Sequence, residues 1–217
     1  MKNILQTSTI LILAAGLLLF CGCEKEDSPE ATVSDKILYT DLSPDASITS
    51  ISGWYETGLG SIPIPADSTA YYTIDLNHDS IQDVSVAINT SYYWQSNSNP
   101  SANYNFSSWI TMIQDSDSVA WSKTSGPMVV AKAFPADSVI SDNSSYSPGA
   151  STYETGPWFF CDEFHGNTYF GVKLYTQKGP LFGWIMLSLD KGRNKIHIRE
   201  YAINLTPGRS IKAGQKE

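Results

Sequence analysis

Asp75-Leu76-Asn77-His78-Asp79-Ser80-Ile81-Gln82-Asp83 puts oxygen-bearing side chains at its first, third, fifth and ninth positions, and Ile81 can offer a carbonyl at the seventh. Alternate-residue spacing lets a curled loop aim these oxygens at one point. Such a donor set suits calcium, a hard cation that takes about six to eight oxygens. The same composition also describes a hairpin turn that needs no ion. Asp and Asn side chains accept hydrogen bonds from nearby backbone amides and tolerate left-handed conformations. Two readings therefore stand side by side: Asp75, Asn77, Asp79, Ile81 and Asp83 as calcium ligands, or as a polar turn.

Other reactive groupings are thin. Cys161-Asp162-Glu163-Phe164-His165 could supply two zinc ligands, whereas a structural zinc site needs about four and a catalytic one about three. The chain has three histidines, His78, His165 and His197, which excludes a His-rich centre. Cys161 reads instead as a small buried residue beside an acidic surface turn. Asp162 and Glu163 are sequence neighbours and would diverge on a strand. A glycosidase pair would therefore need one of them plus a distant carboxylate. The sequence contains no Gly-x-Ser-x-Gly elbow, His-Glu-x-x-His, phosphate loop or dinucleotide fingerprint. A non-enzymatic binding or adhesion role is the expectation. The alternatives are a hydrolase acting on glycans through carboxylates and a structural envelope component with no ligand.

Aromatic residues are plentiful and some sit in polar company: Trp54-Tyr55, Tyr92-Tyr93-Trp94, Tyr104 with Phe106, and Trp158. Aromatic faces beside Asn and Ser hydrogen bonders suit a sugar ring, which makes Trp54, Tyr93 and Trp94 candidate ligand contacts. Core packing explains most aromatics equally well. Asp67-Ser68-Thr69, Asp79-Ser80-Ile81, Asp117-Ser118-Val119 and Asp137-Ser138-Val139 form a further set. They resemble the Asp-Ser/Thr sites at which some Gram-negative bacteria O-glycosylate exported proteins. The resemblance marks Ser68, Ser118 and Ser138 as acceptors, and Ser80 competes with the metal reading. Asp-Ser is also simply a turn preference.

The elements that must hold these groups read as strands. Val84, Val86 and Ile88 share one face with Ser85 and Ala87 opposite; Phe170, Val172 and Leu174 alternate with Gly171, Lys173 and Tyr175; Ile196 and Ile198 alternate with Lys195, His197 and Arg199. Asp190-Lys191-Gly192-Arg193-Asn194 reads as a hairpin turn between two such runs. Helical stripes with caps are lacking, while Ser, Asn, Gly and Pro fill the gaps at 97–105 and 141–155. The expected fold is all-β, an antiparallel β-sandwich or jelly-roll-like arrangement.

Three resemblances extend this reading. The opening of Asp75–Asp83 resembles an EF-hand loop, with Ser80 where the turn wants glycine and Val86 where the bidentate Glu should be. Because strands flank it, it is more similar to the Asp-x-Asn-x-Asp-Gly-x-x-Asp calcium loops of extracellular bacterial modules. Ser in place of Gly costs ~1 kcal/mol if that residue is left-handed. The C-terminal stretch has Phe170-Gly171-Val172-Lys173, Gly183-Trp184-Ile185-Met186-Leu187, Ile198-Arg199-Glu200-Tyr201-Ala202 and 207–214. It is similar to the end of many secreted bacterial β-proteins of unknown function. In those, a calcium-like loop often accompanies a segment resembling Asp41-Leu42-Ser43-Pro44-Asp45. That resemblance implies no activity. Trp184 and Tyr201 are expected to pack in the core.

The third resemblance is at the start of the chain. Lys2 precedes the apolar run Ile10–Phe20, which is too short to span a bilayer comfortably and has the length of a signal-peptide core. Phe20-Cys21-Gly22-Cys23 and then Glu24-Lys25-Glu26-Asp27 follow. This resembles a bacterial lipoprotein signal, in which a small residue precedes the lipidated cysteine. The resemblance makes Cys23 the anchor and 1–22 the signal. The acidic run at Glu24, Glu26 and Asp27 resembles that of surface-displayed lipoproteins of some Gram-negative bacteria, and it also reads as a solvated tether, 23–36. The implied location is the outer membrane, facing outward. With Cys23 lipidated, Cys161 has no disulfide partner.

Residues 37–217 are then expected to form a single β-sandwich domain, large enough for a sizeable core. The formal net charge of −8 argues against nucleic acid as a partner. It leaves the membrane as a partner through the lipid anchor, and carbohydrate or another surface protein as ligands.

Overall fold

The computed structural model describes residues 35–50, 54–55, 64–65, 68–94, 102–125, 128–155, 160–164, 166–191 and 194–217. Cys23, the signal and most of the tether lie outside these residues. Residues 35–217 form one compact unit. Every regular element among the described residues is a strand, so the protein is all-β as its alternating segments predict.

In chain order the elements begin with β1 (Ile37–Thr49), β2 (Trp54–Tyr55), β3 (Ile64–Pro65), β4 (Ser68–Ile74), β5 (Val84–Trp94) and β6 (Ala102–Met112). They continue with β7 (Ser118–Ser125), β8 (Met128–Ala131), β9 (Ala133–Phe134), β10 (Val139–Ile140), β11 (Ser145–Ser147) and β12 (Gly149–Thr155). The last are β13 (Phe160–Asp162), β14 (Thr168–Thr176), β15 (Gly179–Leu189), β16 (Lys195–Asn204) and β17 (Ile211–Lys212). One thirteen-stranded sheet runs β1-β16-β15-β14-β7-β8-β12-β6-β5-β4, with β11, β13 and β9 joined at its side. Its pairings are antiparallel except for the single parallel bridge Ser151–Val130 between β12 and β8.

The sheet curls until β1 approaches β4 and β5. A buried hydroxyl pair, Ser50 with Thr90, links the two ends. The main core lies inside the curl. Val84, Val86 and Ile88 enter it from one half and Phe170, Val172 and Leu174 from the other. Burial of each such side chain contributes roughly 1.5–3 kcal/mol.

A second core covers the outside of β15. From Leu181 to Leu187, odd and even side chains point to opposite faces: Leu181, Ile185 and Leu187 join the main core, while Phe182, Trp184 and Met186 join the second. Trp184 is fully buried, meets Tyr169 edge-on at 5.2 Å between centroids, and donates its indole N–H to the Gln215 carbonyl at 3.2 Å. Tyr201, the other aromatic expected inside, lies in the main core.

On β16 the inward set shifts from Ile196 and Ile198 to Tyr201 and Ile203. Leu187 pairs with Ile198 and Met186 with Glu200, so Arg199 is the extra residue of a β-bulge that changes the alternation. Arg199 ties this bulge to the Asp41–Asp45 segment by donating to Asp45 Oδ2 at 2.8 Å. β15 and β16 pair on either side of the Asp190–Asn194 segment, with the Asp190 amide donating to the Lys195 carbonyl at 2.9 Å; Gly192 and Arg193 lie outside the described residues.

Gly183 stands where β15 has no room for a side chain. A methyl group there would come within 2.7 Å of the Ala202 carbonyl oxygen and 3.1 Å of Val172. Backbone cannot yield as a side-chain tip can, so Gly183→Ala is expected to cost about 1–3 kcal/mol. Urea unfolding measures this; a stability equal to that of the wild type would mean that the strand is not held where the structure puts it.

Candidate metal site in an acidic hollow

Asp75–Asp83 closes the β4–β5 hairpin, with Ile74 paired to Val84 just inside it. Its polar side chains organise the loop locally. Asp75 accepts from the Asp79 amide at 3.2 Å and the Ser80 amide at 2.7 Å. Asn77 Oδ1 accepts from the Asp79 amide at 2.9 Å, and Asp79 Oδ1 from the Ile81 amide at 2.8 Å. Asp83 Oδ2 accepts from the Leu76 amide at 2.7 Å across the loop. Leu76 itself is fully buried and anchors the loop to the main core.

Two residues adopt left-handed backbone, His78 at φ 59° and Ser80 at φ 72°. Ser80 therefore has the conformation that favours glycine, at ~1 kcal/mol. His78 projects away from the loop's centre: its Nε2 lies 3.1 Å from Thr40 Oγ1 on β1, and its ring meets Tyr201 edge-on at 6.4 Å.

The loop does not stand alone. Asn77, Asp79, Ile81 and Asp83 line a hollow of about 350 Å³ together with Asp117, Tyr175 and neighbouring polar residues. Asp117 ends the turn between β6 and β7, and its Oδ1 accepts from the Tyr175 amide at 2.7 Å. Asp83 and Asp117 are each only 4% exposed. Burial pushes the Asp83 carboxyl up to about 6; the Leu76 amide opposes that rise, while Asp79, Asp75 and Asp117 add repulsion. Burial likewise raises Asp117, against the pull of the Tyr175 amide and Ser116.

Among the described residues no ion pair joins Asp75, Asp79, Asp83 or Asp117 to a cationic side chain. Among the same described residues no group of three or more His, Cys, Asp or Glu stands in metal-ligating arrangement. The donors belong to calcium's preferred type, but they are organised here by backbone amides.

The other sequence candidates are dispersed. Trp54 pairs with Pro65 in the β2–β3 ribbon, and Tyr93 and Trp94 end β5; their side chains lie outside the described residues. The same holds for the side chains of Cys161 and Asp162 in β13, and for His165. Glu163 is 3.4 Å from Lys123 Nζ, and Phe164 packs edge-on against Phe170. Among the candidate acceptors, Ser118 is buried, Ser138 is half-buried, and the Ser68 hydroxyl is buried with no hydrogen-bond partner among the described residues. Asp117 was legible only as part of an Asp-Ser turn, because its convergence with the loop spans a long stretch of chain.

No protein-family model, curated protein or solved structure matches the chain.

The raised Asp83 carboxyl gives stability a pH dependence of definite sign. Its pKa is about 6 in the fold against 3.8 for an ordinary aspartate, so folding favours the neutral form. Its contribution is complete below about pH 4 and is lost as pH rises through about 6, with a slope approaching ~1.4 kcal/mol per pH unit. Asp83→Asn keeps an acceptor for the Leu76 amide and should flatten that decline in EDTA, leaving the part due to Asp117. Urea titrations across pH 4–7 test this; parallel slopes for the two proteins would refute it.

Proposed function

We propose that the chain is a surface-anchored, non-enzymatic binding lipoprotein whose β domain is stiffened by calcium and whose ligand is carbohydrate. The observation that carries the calcium part is the pairing of buried Asp83 with buried Asp117 at one hollow, beside Asp79 and without a countercharge among the described residues. Ionised carboxylates removed from water are costly unless a cation offsets them. Asp75, Asn77, Asp79, the Ile81 carbonyl and Asp83 would hold the ion, with Asp117 approaching from the β6–β7 turn. Asp83 has its Oδ2 on the Leu76 amide, which leaves Oδ1 for a ligand.

The anchor is proposed from Cys23 and its flanks. One acyl chain binds a membrane only marginally, and the multiple acylation of bacterial lipoproteins is what makes such an anchor stable. A hydrolase is the second reading, favoured by one feature: the raised carboxyl of Asp83 in a hollow shared with Asp117 is also what a general acid requires. A calcium-dependent melting point with no turnover of glycans supports the first reading over this one.

Calcium that binds only the folded state should stabilise it by about 2.7 kcal/mol at a hundred times its Kd. The melting temperature should therefore rise by several degrees on moving from EDTA to calcium, and Asp79→Ala should abolish the rise. Identical melting curves in calcium and EDTA would remove the metal from the proposal. Cys23→Ala should move the protein from the membrane fraction to the soluble one; continued sedimentation with membranes would remove the lipid anchor.

A further inference from the structure

The outer face of the β4-β5-β6-β12 half-sheet has a composition unlike the rest of this acidic chain. Tyr71, Ala87, Trp109 and Ser151 stand side by side in register across four strands. Thr73, Ser85, Thr111 and Gly149 form the adjacent row. Thr69, Asn89 and Ser107 form the row on the other side, with Glu154 in register at its border. Up to that border no position in these rows carries a charge, although the protein has a formal net charge of −8.

Two aromatic residues stand in the central row with only the small Ala87 between them. Tyr71 is 70% exposed, far beyond what core packing needs. Trp109 is half-buried and borders a shallow hollow of about 240 Å³ whose lining includes Thr111, Gly149 and Ser151. Strands about 4.8 Å apart put the Tyr71 and Trp109 backbones roughly 10 Å apart.

We infer that this face is a binding platform for a neutral polysaccharide, which stacks on Tyr71 and Trp109. The inference rests on the reading of the domain as a carbohydrate-binding module and gives that reading a surface and a ligand class. An aromatic face is electron-rich and attracts the weakly positive C–H face of a sugar ring. Serine and threonine hydroxyls beside it would hydrogen-bond sugar hydroxyls without charge, while the Asn89 amide holds Thr69 by donating to its Oγ1 at 2.8 Å. An anionic glycan would meet an acidic protein with no basic residue in these rows, so it is disfavoured. Tyr71 and Trp109 stand two strands apart in one row, which suits a chain of sugar units with one ring for each of two units.

Isothermal titration of the full chain in a zwitterionic detergent, with cellohexaose, mannohexaose, xylohexaose and oligogalacturonate as probes, tests the inference. At least one neutral hexasaccharide should bind and oligogalacturonate should not. Tyr71→Ala and Trp109→Ala should each weaken binding by about tenfold or more. Tyr71 is exposed on an edge strand, so its variant should keep the wild-type melting temperature and report on the ligand alone even if Trp109→Ala is destabilised. Binding that neither variant changes overturns this face while leaving carbohydrate as the ligand. Absence of binding to every neutral probe overturns the face and the carbohydrate reading together, whereas the calcium and anchor experiments stand apart from both. Sedimentation showing a dimer that Tyr71→Ala dissociates would assign the face to a second copy of the chain and overturn the inference.

Discussion

β15 is covered on both faces, and the rest of the structure is arranged around that constraint. A strand buried on both sides needs one apolar layer inside the curled sheet and another outside it. The inner layer is the main core, closed by the β4–β5–β6 half. The outer one is supplied by short pieces: Phe134 of β9, Ile140 of β10, and Ile211 and Ala213 at the C-terminal end. Trp184 is central to this second layer, held by its bond to Gln215 and by Tyr169 at its edge. Lys216 completes the cover by donating to Glu200 at 2.6 Å and to Tyr39 at 2.9 Å. The C-terminal end is thus part of the fold's closure.

The same curl concentrates acid at one end of the sheet. Chain segments from the β4–β5 loop, the β6–β7 turn and the β14–β15 turn meet at one hollow. Local hydrogen bonds satisfy the loop's backbone but do not discharge its carboxylates. Backbone amides at Leu76 and Tyr175 hold one oxygen each of Asp83 and Asp117, which orients them. Burial then raises both carboxyls because no cationic side chain among the described residues compensates. The rows of Tyr71, Ala87, Trp109 and Ser151 and of Thr73, Ser85, Thr111 and Gly149 are the electrostatic opposite, with no charged residue. As proposed, the cation would sit in the acidic hollow and the neutral glycan on this uncharged face.

The sequence by itself determined the all-β class, because Val84, Val86 and Ile88 or Phe170, Val172 and Leu174 repeat with the period of a half-buried strand. It also determined the Asp75–Asp83 loop, whose bonds join residues only a few positions apart, and the interior placement of Trp184 and Tyr201. Tertiary structure decided the rest. The run through β15 does not alternate in polarity because both its faces are buried, so its two-sided packing leaves no period to read. The alternation of Ile196 and Ile198 gives no warning of the bulge at Arg199, which exists only relative to β15. Asp117 joins the loop's hollow, and Tyr71 and Trp109 share one face, through pairings between segments far apart in the chain. Register is a relation between strands, set by how their apolar faces meet, and no single strand carries it.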